Sequence, residues 1–142
     1  MVAITVILAA VIAAFVFGMG PPEQAPQASL RASATTVTAT ATDYTGIKLE
    51  HQGGDQIVLD SATTKIVVDG TTVTYGSADA DFDAGETVYI INTSTAGVMY
   101  VDATKTNATA TGSAMGSTGD TVNVKIIDTA SQQMIADMNV RF

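Results

Sequence analysis

No charged side chain occurs before Glu23, and the stretch Met1–Phe17 contains one hydroxyl, Thr5, among otherwise apolar residues. Such a run has one stable way to satisfy its backbone out of water, which is a helix with internal hydrogen bonds in an apolar environment. Thr5 fits this, because a threonine hydroxyl bonds back to its own helix. At 1.5 Å per residue, 17 to 20 residues give a helix of about 26 to 30 Å, the lower edge of what crosses a bilayer core. A secretory signal peptide would carry a basic leading region and a shorter apolar run. Two readings remain. A single-span anchor would normally have basic flanks, yet the nearest base is Arg31. A helix that packs on copies of itself fits the small residues Ala9, Ala10, Ala13 and Ala14, paired at spacing four. Val6, Leu8, Ile12, Phe15 and Phe17 supply bulk around them. The helix is expected to stop near Gly18–Gly20, ahead of Pro21 and Pro22.

The chain divides into an apolar assembly or transmembrane helix (1–20), a Pro-rich linker (21–30) and a head (31–142) that is long enough for one small core. The head reads as β structure. Nearly all 22 threonines lie beyond residue 34, and apolar residues recur at spacing two. In SATTVTATATD, read as one strand, Thr36, Thr38, Thr40 and Thr42 share one face and Val37, Ala39 and Ala41 the other. Ile47 and Leu49, then Ile57 and Leu59, point inward on two strands separated by Gly53-Gly54-Asp55, a hairpin signal. Asp69-Gly70 between two β-branched runs is a stronger one. ETVYII, GVMYVDA, DTVNVKIIDT and QMIADMNVRF follow as strands; in the last, Ala136, Met138, Val140 and Phe142 share a face. The segment Thr104–Thr118 is too poor in large apolar residues for a self-supporting strand and is expected to be a long exposed loop. The expected class is α+β: one hydrophobic helix, then an antiparallel sandwich or barrel-like head of about eight strands.

Composition removes several functions. With 14 acidic and 6 basic residues the net charge is −8, which excludes a phosphate-binding basic patch and hence nucleic acid as partner. The absence of cysteine excludes disulfides, thiolate metal sites and cysteine catalysis. His51 is the only histidine, so it has no second imidazole for a metal or triad; its position before Gly53-Gly54 suggests bonding to the backbone. Asp79, Asp81 and Asp83 resemble a calcium loop, but Ala84 stands at the sixth position and Ile90 at the twelfth, where Gly and Glu are required. A loose surface cation site and a solvated acidic turn both fit that segment. No GxSxG elbow or phosphate loop occurs, and no enzyme, metal or cofactor is expected. Asn92-Thr93-Ser94 and Asn107-Ala108-Thr109 are glycosylation sequons expected in exposed loops, Asn107 ahead of Asn92.

The string MVAITVILAAVIAAFVFG, the Pro- and Gln-containing linker and IKLEHQGGDQIVL together resemble the archaeal type IV pilins. GDTVNVKIIDTASQQMIAD is similar to the closing hairpin of such heads. The resemblance implies an extracellular adhesive filament, a self-assembled helical homopolymer with Val6, Leu8, Ala9, Ala10, Ile12, Ala13, Ala14, Phe15 and Phe17 in its core. It also implies residence in the membrane before assembly, an assembly machinery and a prepilin peptidase. Family members carry a basic leader and a Ser-Pro stretch ahead of this string, and Met1 is expected to be internal to the family's helix, the alternative being a member that starts at Met1 and is not processed in the usual way. The alternative is a monomeric, membrane-anchored β-sandwich that binds a sugar or solute.

Overall fold

The computed structural model describes residues 1–39, 42–75, 81–93, 99–102, 106–107 and 112–142. Helix α1 (Val2–Gly18) precedes strands β1 (Ala28–Ala39), β2 (Thr42–Gly54), β3 (Ile57–Val58), β4 (Thr64–Val68), β5 (Thr71–Thr72), β6 (Thr74–Tyr75) and β7 (Asp81–Phe82). Then come β8 (Thr87–Thr93), β9 (Met99–Asp102), β10 (Thr106–Asn107), β11 (Gly112–Ser113), β12 (Thr121–Asp128) and β13 (Met134–Arg141). The protein is thus α+β, an N-terminal helix followed by mainly antiparallel sheets. Thirteen strands are described against about eight expected, and the excess is short two-residue pairings at the sheet margins. Two of these, β1 with β10 and β6 with β9, are parallel.

A seven-stranded sheet runs in the order β10-β1-β2-β8-β9-β6 with β11 on β8, and a four-stranded sheet in the order β13-β12-β4-β5. Their inner faces meet. Ile47 opposite Ile90 and Leu49 opposite Val88 come from the first, and Ile66 opposite Ile126 and Val68 opposite Val124 from the second; all belong to one buried cluster. Ile57, Leu59 and Phe82 join it from the small β3–β7 pair and the residues beside it. The two-residue period therefore puts Ile47, Leu49, Ile57 and Leu59 inward, as expected. Asp69-Gly70 closes the β4–β5 hairpin with φ of 48° and 83°, the left-handed pair that a two-residue turn needs. β12 and β13 form the closing hairpin, whose outer face carries Asn123, its Nδ2 donating to Asp137 Oδ1 at 2.6 Å.

Three expectations differ from what is found. SATTVTATATD is not one strand: the chain reverses between Ala39 and Thr42, which face each other at the end of the long β1–β2 pairing. The Thr/Ala alternation continues through the reversal and so gives no sign of it. Second, β2 and β3 do not form a hairpin. β2 pairs with β1 and β8, β3 with β7, and Gly53-Gly54-Asp55 is a corner where the chain passes from one sheet to another. Third, the described end of the Thr104–Thr118 segment is docked, not free: Met115 packs on the core and donates its N–H to Thr45 O, while Gly116 lies against the Phe142 ring. Residues 103–105 and 108–111 of this region lie outside the described residues.

Candidate functional site

Every residue of α1 is exposed, and none touches the head closely enough to be buried. Val6, Leu8, Ile12, Phe15 and Phe17 retain between 53% and 86% of their possible exposure. Ala9 and Ala13, and Ala10 and Ala14, stand one turn apart as two pairs of small side chains, also exposed. Ile4, Ile7, Val11 and Val16 occupy the remaining faces, so no polar stripe interrupts the cylinder. Thr5, the one hydroxyl, donates to Met1 O at 3.1 Å. The helix ends at Gly18, where Met19 turns extended while its N–H still donates to Phe15 O. At 17 residues it is about 26 Å long. Among the described residues, no helix is long and apolar enough to cross a membrane.

The linker does not run free to residue 30. β1 already begins at Ala28, paired with Gly54, and Ala25 is buried. Gln27 and Asp55 are bonded twice: the Asp55 N–H donates to Gln27 O at 2.9 Å, and the Gln27 N–H donates to the Asp55 carboxylate at 3.0 Å. His51, 1% exposed, holds the same corner from inside. Its Nδ1 accepts from the Gly53 N–H at 3.3 Å, which leaves Nε2 as the donor to Asp55 O at 2.9 Å and assigns the ring as the Nε2–H tautomer. The ring stands edge-on to Phe82, centroids 5.2 Å apart. Gly54 has φ of 107°, and a Cβ there would overlap Gln27 O and lie 2.9 Å from Ala28 Cα. Thus His51 bonds the backbone, as its place in the sequence suggests, but the tie from Asp55 to Gln27 is one that sequence reasoning misses. The turn residues after His51 mark the corner; nothing in the sequence names Gln27 as its partner.

The other candidates are scattered. Asp81 and Asp83 flank Phe82, Asp79 lies outside the described residues, and among the described residues no three acidic or histidine side chains gather to hold a metal. The Asp83–Glu86 turn uses the Glu86 carboxylate to accept the Asp83 N–H. Asn92 is in β8, not in a loop, between Ser113 of β11 and Met99 of β9, and its Oδ1 is buried with no hydrogen-bond partner among the described residues. Asn107 is in β10, while Ser94, Ala108 and Thr109 lie outside the described residues. A head pocket bordered by Thr64, Lys65, Tyr75 and Thr129 holds about 130 Å3, below the roughly 300 Å3 of an ordinary ligand site. Beside it the Tyr75 hydroxyl donates to Thr64 O, and burial, with a smaller push from Asp60, raises its pKa. Lys48 pairs with Glu50 and, by that hydrogen bond, holds the carboxyl below its usual range.

A helix apolar on all faces is thus joined by a tied linker to a β head. Residues 1–30 match the family Archaeal Type IV pilin, N-terminal, so that the helix and linker are similar to those of archaeal type IV pilins. That family is a structural one. The match ends where the head begins. A stretch of 70 residues is also 47% identical to an "Uncharacterized protein" of Archaeoglobus fulgidus, covering 49% of this chain and 45% of that protein. The matched stretch is less than half of the relative's length.

Proposed function

We propose that this protein is the structural subunit of an extracellular type IV pilus, polymerised through α1, with the β head as the outer, adhesive wall. The observation that carries this reading is the exposure of an uninterrupted apolar cylinder. Ten large side chains from Val2 to Phe17 face solvent in the single chain; sequestering each contributes about 1.5–3 kcal/mol, a gross gain on the order of 15–30 kcal/mol. Association costs roughly 4–15 kcal/mol, which that gain meets or exceeds. The alanine pairs let neighbouring helix backbones approach closely. Before assembly the same helix rests in the membrane, where a mismatch of a few ångströms costs fractions of a kcal/mol per Å. Extraction from lipid calls for the assembly machinery, and maturation for the prepilin peptidase, that the family uses.

The surface carries the sugar coat that its sequons allow, with Asn107 preferred. Asn92 is disfavoured in the folded head because its amide oxygen is buried within the sheet. Electron microscopy of material sheared from producing cells, with peptide mass spectrometry of the filaments, tests the main reading. Thin filaments containing peptides from residues 31–142 are the expected result; protein recovered only as detergent-soluble monomer would overturn it. Peptide mapping of the same material is expected to find the modification at Asn107, and an unmodified Asn107 would remove the glycan.

A further inference from the structure

We infer that the His51–Asp55 corner is a clasp that sets the free length of the joint between α1 and the head, an inference that takes its functional sense from the filament reading. Two layers of bonding make the clasp. Asp55 grips Gln27 through its backbone N–H and its carboxylate. His51, buried and braced on Phe82, fixes Asp55 by donating to its carbonyl, and its other nitrogen is occupied by the Gly53 N–H. Only a glycine at position 54 lets Gln27 and Ala28 lie this close. Asp55 itself is exposed, so its carboxylate contributes to the grip without being part of the core.

The grip decides where flexible chain ends. With the clasp closed, the untied joint runs only from Met19 to the buried Ala25 and contains Pro21 and Pro22, a semi-rigid spacer of about 20 Å at full extension. The β1–β2 register shifts between Ser29 and Leu30, so beyond that bulge only Ala28 and Ser29 pair, with Gly54 and Gly53, and the clasp secures this short end of the ladder. Opening the clasp releases the chain back to that shift and adds about 16 Å of reach. In a filament, that difference sets how far each head moves from the helical core. The exposed carboxylate and the buried imidazole thus act as positioning residues for the head.

Hydrogen exchange by mass spectrometry on the full chain, in detergent and in sheared filaments, reads the clasp directly. Asp55→Ala is expected to speed exchange in residues 25–29 about tenfold while leaving β4 and β12 unchanged, and to lower filament stiffness in micrographs. Asp55→Asn keeps an acceptor oxygen and is expected to restore both; Gln27→Pro removes the donated N–H and is expected to reproduce the loss. Wild-type exchange rates in Asp55→Ala and Gln27→Pro would overturn the clasp, and faster exchange with unchanged stiffness would overturn its length-setting role. If the wild-type chain formed no filaments, the pilus reading would fail, while the exchange measurement in detergent would still decide whether the clasp holds the joint.

Discussion

Helix α1 and strand β12 are both rich in Val and Ile, yet they use these residues in opposite ways. In β12, Val122, Val124 and Ile126 are buried and the residues between them are half-exposed, because the head has one core and one outside. In α1 the apolar residues follow no face and none is buried. A pattern that alternates marks a segment that finds its partner within its own fold; a pattern without sides marks one whose partner surrounds it. The head thus buries its own apolar face, whereas the helix buries none of its own, and the proposed function gives the helix lipid or its copies as partner.

Placing a charge on the cylinder is the sharpest way to break this contrast. Ala10→Asp is expected to abolish filaments, at a cost of several kcal/mol in either apolar environment, while the urea midpoint of the head stays at its wild-type value. Filaments of normal length from that variant would refute the helix core. Phe82→Ala works the other way: it removes a fully buried ring and the brace of His51, and is expected to destabilise the head by about 3–5 kcal/mol in denaturant melts, with α1 still partitioning into micelles. Gly70→Ala, at φ of 83° in the β4–β5 turn, is expected to cost about 1 kcal/mol of head stability and nothing in helix association.

The pH limits concern the head alone and are smaller. Tyr75 has its pKa raised by burial, so the folded state disfavours the phenolate. Stability is intact below the ordinary tyrosine range and is lost as pH rises through and above it; Tyr75→Phe is expected to flatten this alkaline limb in thermal melts. Glu50, held below its usual range by Lys48, has the opposite sign. Its contribution is present above the ordinary carboxylate range and disappears as pH falls through the lowered value. The pair is partly exposed, and Lys48→Ala is expected to give the smallest change of the series, weaker still at high salt.

Much of the contrast between helix and head is legible in the amino-acid sequence alone. The charge-free run predicts α1 and its end near Gly18, and Asp69-Gly70 predicts a hairpin whose turn has the required dihedrals. The alternation in GIKLEH and QIVLD identifies the buried side chains. It does not identify their neighbours, because a period of two says which way a side chain points and not which strand lies beside it. That is why Gly53-Gly54-Asp55 reads as a hairpin and is a corner between sheets. Asn92 reads as part of a surface sequon, yet it sits in β8 with neighbours on both sides that are distant in sequence or belong to another strand.

What the sequence determined by itself, then, is the set of local choices: an all-apolar helix, the stop after it, the inward faces and the tight turn, each fixed by interactions within a few residues. Only the tertiary structure decided which strands share a sheet, that Met115 docks on the core and Gly116 against Phe142, and that Asp55 reaches back to Gln27. These contacts join residues far apart in the chain, and their energies exist only once the two sheets have closed on a common core.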